Sequence, residues 1–175
     1  MIESGLLREA ARMLARGCGV SVLLLALLAL AGAQIFVTTT EDGAPGSLRA
    51  AVIASNASPG SDSIVLADGT FTLTLAGAGE DGAASGDLDL TDTDGVLTIS
   101  GAGAAATIVD GGGLENVFEV HPDVEVVFED LTITGGDGSV VGPFQGGGVQ
   151  VRGSATFRRC EVTGNETGIG GAIRV

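Results

Sequence analysis

Short runs of alternating apolar and polar residues recur along the chain from residue 35 onward. A period of two places successive side chains on opposite faces of a strand, so each run predicts a half-buried β-strand. The predicted strands are residues 35–40, 64–66, 70–75, 96–99, 107–109, 117–120, 124–128, 131–133, 149–151, 155–157 and 173–175, together with Leu88 and Leu90 alternating with Asp87 and Asp89. They are short, rich in Val, Ile and Thr, and separated by Gly and Asp, residues that suit tight turns. One stretch follows a helical period instead. Ser47 is placed to cap a helix over 48–54, with Leu48, Ala51 and Val52 on one face. Asn56 to Ser61, containing Pro59-Gly60, ends it.

The strand pattern repeats. Val126-x-Phe128-x-x-Leu131-x-Ile133-Thr134-Gly135 aligns with Ala155-x-Phe157-x-x-Cys160-x-Val162-Thr163-Gly164, position for position. Residues 97–101 match 131–135, and residues 146–151 match 170–175 at a shorter spacing. The excess lies in residues 136–145, which reads as a corner loop carrying Phe144. Fixed strand cores joined by corners of variable length describe a solenoid whose coils stack in register, with Phe128 over Phe157 and Ile133 over Val162. The predicted fold is all-β, a right-handed parallel β-helix with a short N-terminal capping helix. A β-sandwich is the competing architecture, and it leaves the in-register repeat unexplained.

Composition agrees with sharp, frequent corners, because Gly is 30 of 175 residues. There is no Trp, Tyr or Lys, which removes the usual aromatic platforms for sugars. The formal charge is −14 and becomes one unit more negative without residues 1–33. Such a field repels phosphate backbones and anionic lipid surfaces, so neither nucleic acid nor direct lipid binding is expected.

The first 33 residues carry Arg8, Arg12 and Arg16, then an apolar run over 20–30, then Ala31-Gly32-Ala33. Basic, apolar, small is the order of a secretory signal, and the run is short for a bilayer span. The expected organisation is a signal peptide over 1–33, an N-terminal strand and capping helix over 34–63, and β-helix coils over 64–175 that continue beyond Val175. The expected location is secreted or on the outer cell surface. Cys160 is then the lone cysteine, and its place in the repeat reads as an inward-facing thiol.

Residues 36–40, Pro45-Gly46-Ser47-Leu48-Arg49-Ala50-Ala51-Val52, Gly86-Asp87-Leu88-Asp89-Leu90-Thr91, residues 97–103 and Thr107-Ile108-Val109-Asp110-Gly111 resemble secreted bacterial β-helix proteins that open with a CSLREA-type N-terminal region. At the motif itself Gly46 stands in place of the Cys and Ala50 in place of the Glu. Gly170-Gly171-Ala172-Ile173 resembles the repeat of polymorphic outer membrane proteins, whose companion Asn is replaced here by Cys160 and Leu131. The second resemblance implies surface exposure and a passenger-like role, and it transfers no catalytic residue.

Candidate chemistry is sparse. Asp87, Asp89, Asp92 and Asp94 concentrate carboxylates and form a candidate calcium site, although residues 87–98 do not follow the EF-hand pattern. The plainer reading puts Asp87 and Asp89 on an outward strand face before an Asp94-Gly95 turn. Arg152 and Arg174 are read as an outward pair on neighbouring coils, faced by Asp110, Glu129, Asp130 or Glu161. His121 has no His or Cys near it in sequence and reads as a turn residue. Asn165-Glu166-Thr167 has the form of a glycosylation sequon. The expected function is a secreted or cell-surface scaffold or adhesin-like protein. An extracellular polysaccharide or a cell-surface protein is its expected partner, and its last coil is open to further coils or another chain. The alternative is the front of a polysaccharide lyase or glycoside hydrolase. No catalytic or cofactor-binding residue is assigned.

Overall fold

The structure, a computed structural model, describes residues 32–140, 146–167 and 172–175. The expected signal peptide, apart from its last two residues, and Phe144 lie outside these. Among the described residues, thirteen strands and one helix follow in order: β1 (Gln34–Phe36), α1 (Leu48–Asn56), β2 (Ser63–Val65), β3 (Gly69–Thr72), β4 (Leu88–Leu90), β5 (Val96–Ser100), β6 (Thr107–Asp110), β7 (Phe118–Val120), β8 (Glu125–Glu129), β9 (Thr132–Thr134), β10 (Val149–Val151), β11 (Ser154–Arg158), β12 (Glu161–Val162) and β13 (Ile173–Arg174).

The fold is mostly β, built on parallel sheets. The first sheet has the order β1-β2-β5-β8-β11, the second β3-β6-β9-β12 and the third β4-β7-β10-β13. From β2 onward the chain visits first, second and third sheets in one cyclic order and then starts again. Each strand therefore pairs with the equivalent strand of the next round. Val126 pairs with Ala155 and Phe128 with Phe157, Ile133 pairs with Val162, and Val149 pairs with Ile173. These are the partners that the repeat alignment predicts.

Between the sheets lies one apolar core. Ile64, Ile99 and Phe128 sit at matched positions of β2, β5 and β8, all fully buried. The rings of Phe128 and Phe157 stack with centroids 5.2 Å apart and planes 15° from parallel. Burying a side chain of this size contributes roughly 1.5–3 kcal/mol, so the ladder is a main source of cohesion. Corner geometry repeats as well: Asp130 and Arg159 take left-handed φ values of 55° and 53°, and Gly135 and Gly164 take 68° and 65°.

Helix α1 starts where Ser47 Oγ accepts from Ala50 N at 3.1 Å. This bond satisfies one of the amides that a helix N-terminus leaves free. Leu48, Ala51 and Val52 are buried as expected, and the helix packs against β1, β2 and β4. Gly46, which stands at the motif's Cys position, has φ +82°, a conformation that suits glycine.

Several expectations change. Residues 97–101 do not stack on 131–135, because Leu97 pairs with Val126 and Ile99 with Phe128. Similar local sequences occupy different sheets, β5 in the first and β9 in the second. Residues 37–40 and 73–75 lie outside the strands, since β1 ends at Phe36 and β3 at Thr72. Arg174 pairs with Gln150 rather than with Arg152. Cys160 packs against the core as expected but is only half-buried, in the corner between β11 and β12, with its thiol directed to Arg158 O at 3.4 Å. Asn165 donates to Ile133 O and Thr163 O and accepts from Gly136 N, so its amide serves the corner rather than standing free as a sequon.

Candidate functional site

The third sheet carries the chemistry. In β4, Leu88 and Leu90 face the core, so Asp89 faces the other way. The ladder sets Asp89 beside Glu119 of β7, and Glu119 beside Gln150 of β10. An outward carboxylate pair would ordinarily be solvated. Here residues 77–87 fold back over it, and Asp89 is only 1% exposed. Asp89 Oδ2 accepts from Ala83 N at 2.9 Å, which fastens this covering segment to the sheet.

A second anchor comes from the helix. Arg49 is 2% exposed, yet each of its guanidinium N–H groups can be accounted for. Nε and Nη2 bind Asp42 Oδ1 and Oδ2 at 2.8 and 3.2 Å. Nη1 donates to Ala83 O and Asp87 O, both at 3.0 Å, and Nη2 donates to Gly86 O at 2.8 Å. Asp42 Oδ2 also accepts from Thr74 N and Leu75 N. Burial alone would raise the Asp42 pKa, but these hydrogen bonds and the Arg49 charge outweigh it and hold the carboxyl below its ordinary value. Gly86 completes the turn with φ +62°, where a Cβ would collide with Gly77 O and the Glu115 carboxylate.

Beneath this cover is a cavity of about 180 Å³ lined by Gly79, Glu80, Asp81, Asp87, Glu115, Asn116, Glu119 and Arg152. Glu115 is 3% and Glu119 7% exposed. Glu115 Oε1 accepts from Gly79 N at 3.2 Å, while its Oε2 is buried without a donor. Glu119 Oε1 is also buried without a hydrogen bond; Arg152 Nη1 lies 2.9 Å away, an ion-pair distance that lacks hydrogen-bond alignment. His121 Nε2 lies 3.0 Å from Asp89 Oδ1 and 3.6 Å from Glu119 Oε1. One donor atom each from Asp81, Asp89, Glu119 and His121 falls within 4.8 Å of every other.

Burial raises the pKa values of the carboxyls around the cavity. Burial pushes Asp87 up to about 8, and the neighbouring charges of Asp89, Glu115 and Glu119 push the same way. Asp87 Oδ2 accepts from Asn116 Nδ2 at 2.6 Å. Burial likewise raises Asp89, Glu115 and Glu119, against the opposing pull of His121 on Asp89 and of Arg152 and His121 on Glu119.

The four carboxylates proposed from sequence therefore part company. Asp89 joins Asp81, Glu119 and His121, while Asp87 turns to Asn116 inside the same cavity. Asp92 Oδ1 accepts from Asp94 N at 2.8 Å in a turn, and neither residue belongs to the cluster. Asp87 and Asp89 do lie off the core face, but they are covered rather than solvated. Of the other charged candidates, Glu129 pairs with Arg158 at 2.8 Å and Asp130 with Arg159 at 2.6 Å on the surface, while Arg152 reaches Glu119 at the cavity. His121, Glu119, Glu115 and Asp81 were not singled out as site residues. The signal was present, because aligning Leu88-x-Leu90 with Phe118-x-Val120 puts Asp89 beside Glu119. Among the described residues no helix is long and apolar enough to cross a membrane. Comparisons with protein-family models, with curated proteins and with solved structures find no match to this chain.

Proposed function

We propose that this chain is a right-handed parallel β-helix and serves as a secreted or cell-surface scaffold of the adhesin-like kind. The observation that carries the reading is the cyclic return of the chain to three parallel sheets in register. Such a stack lengthens by adding rounds, and each round presents three strand faces and the corners between them to the outside while the core stays apolar. Extended, rigid surfaces of this sort suit recognition of a long extracellular partner, a polysaccharide or a cell-surface protein. The resemblance to CSLREA-type β-helix proteins and the basic, apolar, small order of residues 1–33 support an extracellular setting. The marked acidity supports a role away from nucleic acid.

The test is where the native protein is found and with what mass. Culture medium, cell envelope and cytosol are fractionated, and the intact protein is weighed from each. The expected result is protein in the medium or envelope that lacks residues 1–33. Protein confined to the cytosol with those residues attached would overturn the proposal.

A further inference from the structure

We propose that Asp81, Asp89, Glu119 and His121 bind a divalent transition-metal ion of the zinc or manganese class at the covered face of the third sheet. Three observations carry this beyond a mere gathering of acids. First, the donors come from three separate places: the covering segment (Asp81), β4 (Asp89), and β7 with the residue just after it (Glu119, His121), and they converge within 4.8 Å. Second, Glu119 Oε1, one of the converging oxygens, is buried and accepts no hydrogen bond, since Arg152 Nη1 at 2.9 Å is out of hydrogen-bond alignment. A buried, unsatisfied carboxylate oxygen is expensive, and a cation supplies what is missing. Third, the separations suit one ion. At metal–ligand bonds of about 2.0–2.2 Å, neighbouring donors on one ion stand about 3–3.5 Å apart. The Nε2 of His121 lies 3.0 Å from Asp89 Oδ1 and 3.6 Å from Glu119 Oε1.

The donor set selects the class of metal. Carboxylates alone would suit calcium or magnesium, but an imidazole nitrogen favours first-row transition ions. Arg152 brings one positive charge to Glu119 from a half-exposed position. It leaves Asp89 and Asp81 without that charge, so it stands at the rim rather than in the ion's place. Binding requires the neutral imidazole with Nε2 free. The proton that Nε2 carries when it donates to Asp89 must therefore move to Nδ1 or leave.

The site also ties the covering segment to the sheet. Asp81 lies on that segment, and Asp89 Oδ2 already holds Ala83 N. A bound ion therefore stabilises the folded chain by mass action, because the donors are dispersed when it unfolds.

The full chain is stripped with EDTA, dialysed, and titrated calorimetrically with ZnCl2, MnCl2 and CaCl2, with thermal melts in parallel. We expect one zinc or manganese ion per chain and a melting temperature that rises with that metal more than with calcium. His121→Ala and Asp81→Asn should each weaken binding about tenfold or more, at least the loss that even an outer-shell partner's removal causes. Asp81 is exposed, so its substitution leaves the fold intact and keeps the test decisive if His121→Ala fails to fold. Absence of stoichiometric binding overturns the proposal, as does binding that both variants retain. Calcium bound as tightly as zinc, with His121→Ala unchanged, overturns the transition-metal assignment. Secretion of the protein is read independently, so failure here leaves the scaffold reading standing, and the converse holds.

Discussion

Two buried charged regions face one another across residues 77–87, and they are built on opposite terms. Around Arg49 every guanidinium N–H meets an acceptor, two on Asp42 and three on backbone carbonyls. Around Glu115 and Glu119 carboxylates outnumber donors, and two buried oxygens have no hydrogen bond. The same segment serves both: its carbonyls hold Arg49, while Gly79 and Asp81 line the acidic cavity. A buried charge with its partners in place fixes structure. A buried charge without them either costs stability or awaits a ligand.

The largest effect should come from breaking the satisfied side. Arg49→Met keeps much of the side-chain volume but leaves Asp42 buried without its counter-charge and three carbonyls without donors. Breaking a buried pair by removing one partner costs about 3–5 kcal/mol, and urea unfolding should show a loss in that range. Arg49→Lys should recover only part of it, since an ammonium cannot span both Asp42 oxygens. A loss within error for Arg49→Met would mean that the covering segment is held from the cavity side.

A smaller effect, of opposite sign, separates the two regions by pH. The Asp42 carboxyl is held below its ordinary 3.8 in the folded chain, so its contribution is present above that value and is lost as pH falls through the folded pKa. The Asp87 carboxyl is raised from 3.8 to about 8. The folded chain therefore binds the proton more tightly than the unfolded chain does. Its contribution is full below about pH 4, falls as pH rises toward 8, and is gone above that. In EDTA, Asp87→Asn should match the parent's melting temperature near the acid end of this window. It should exceed the parent at the alkaline end, flattening the profile, while Asp42→Asn should be most destabilising at neutral and higher pH. Parallel profiles for Asp87→Asn and the parent would show that Asp87 is ionised without penalty.

The contrast also explains what could be read in advance. The stacked strands were legible because alternation of Val, Ile, Leu and Phe with polar residues reports a strand, and the recurrence of Phe128 as Phe157 reports the register. The same logic misled where two strands share a local sequence, as with residues 97–101 and 131–135, since alternation does not say which sheet a strand joins. The site was harder. Asp87, Asp89, Asp92 and Asp94 are close in sequence, but only Asp89 joins the cluster. Its partners are a neighbour across the ladder (Glu119), the His121 that follows it, and a loop residue (Asp81). His121 looked solitary because Asp89, which it meets at 3.0 Å, lies one round of the stack earlier in the chain. The role of Arg49 was hidden for a similar reason. An arginine one position from a helix's apolar face ordinarily reaches solvent, and nothing local announces that a distant turn will cover it.

The smallest effect tests whether a short distance signifies stability at all. Arg159 and Asp130 form a bidentate pair at 2.6 and 2.7 Å, shorter than any contact Arg49 makes, but both are open to water. Solvent and salt screen such a pair, and ordering two side chains offsets much of what remains. Asp130 also sits at φ 55°, a left-handed conformation that Asn tolerates nearly as well and a β-branched residue does not. Asp130→Asn should therefore leave the melting temperature unchanged within error at ordinary ionic strength, although it removes the charge. Asp130→Val should lower it through the backbone, and adding salt should restore nothing. If Asp130→Asn were as damaging as Asp130→Val, the ion pair would be holding the corner. The distinction drawn between satisfied burial and mere proximity would then fail at this end of the molecule.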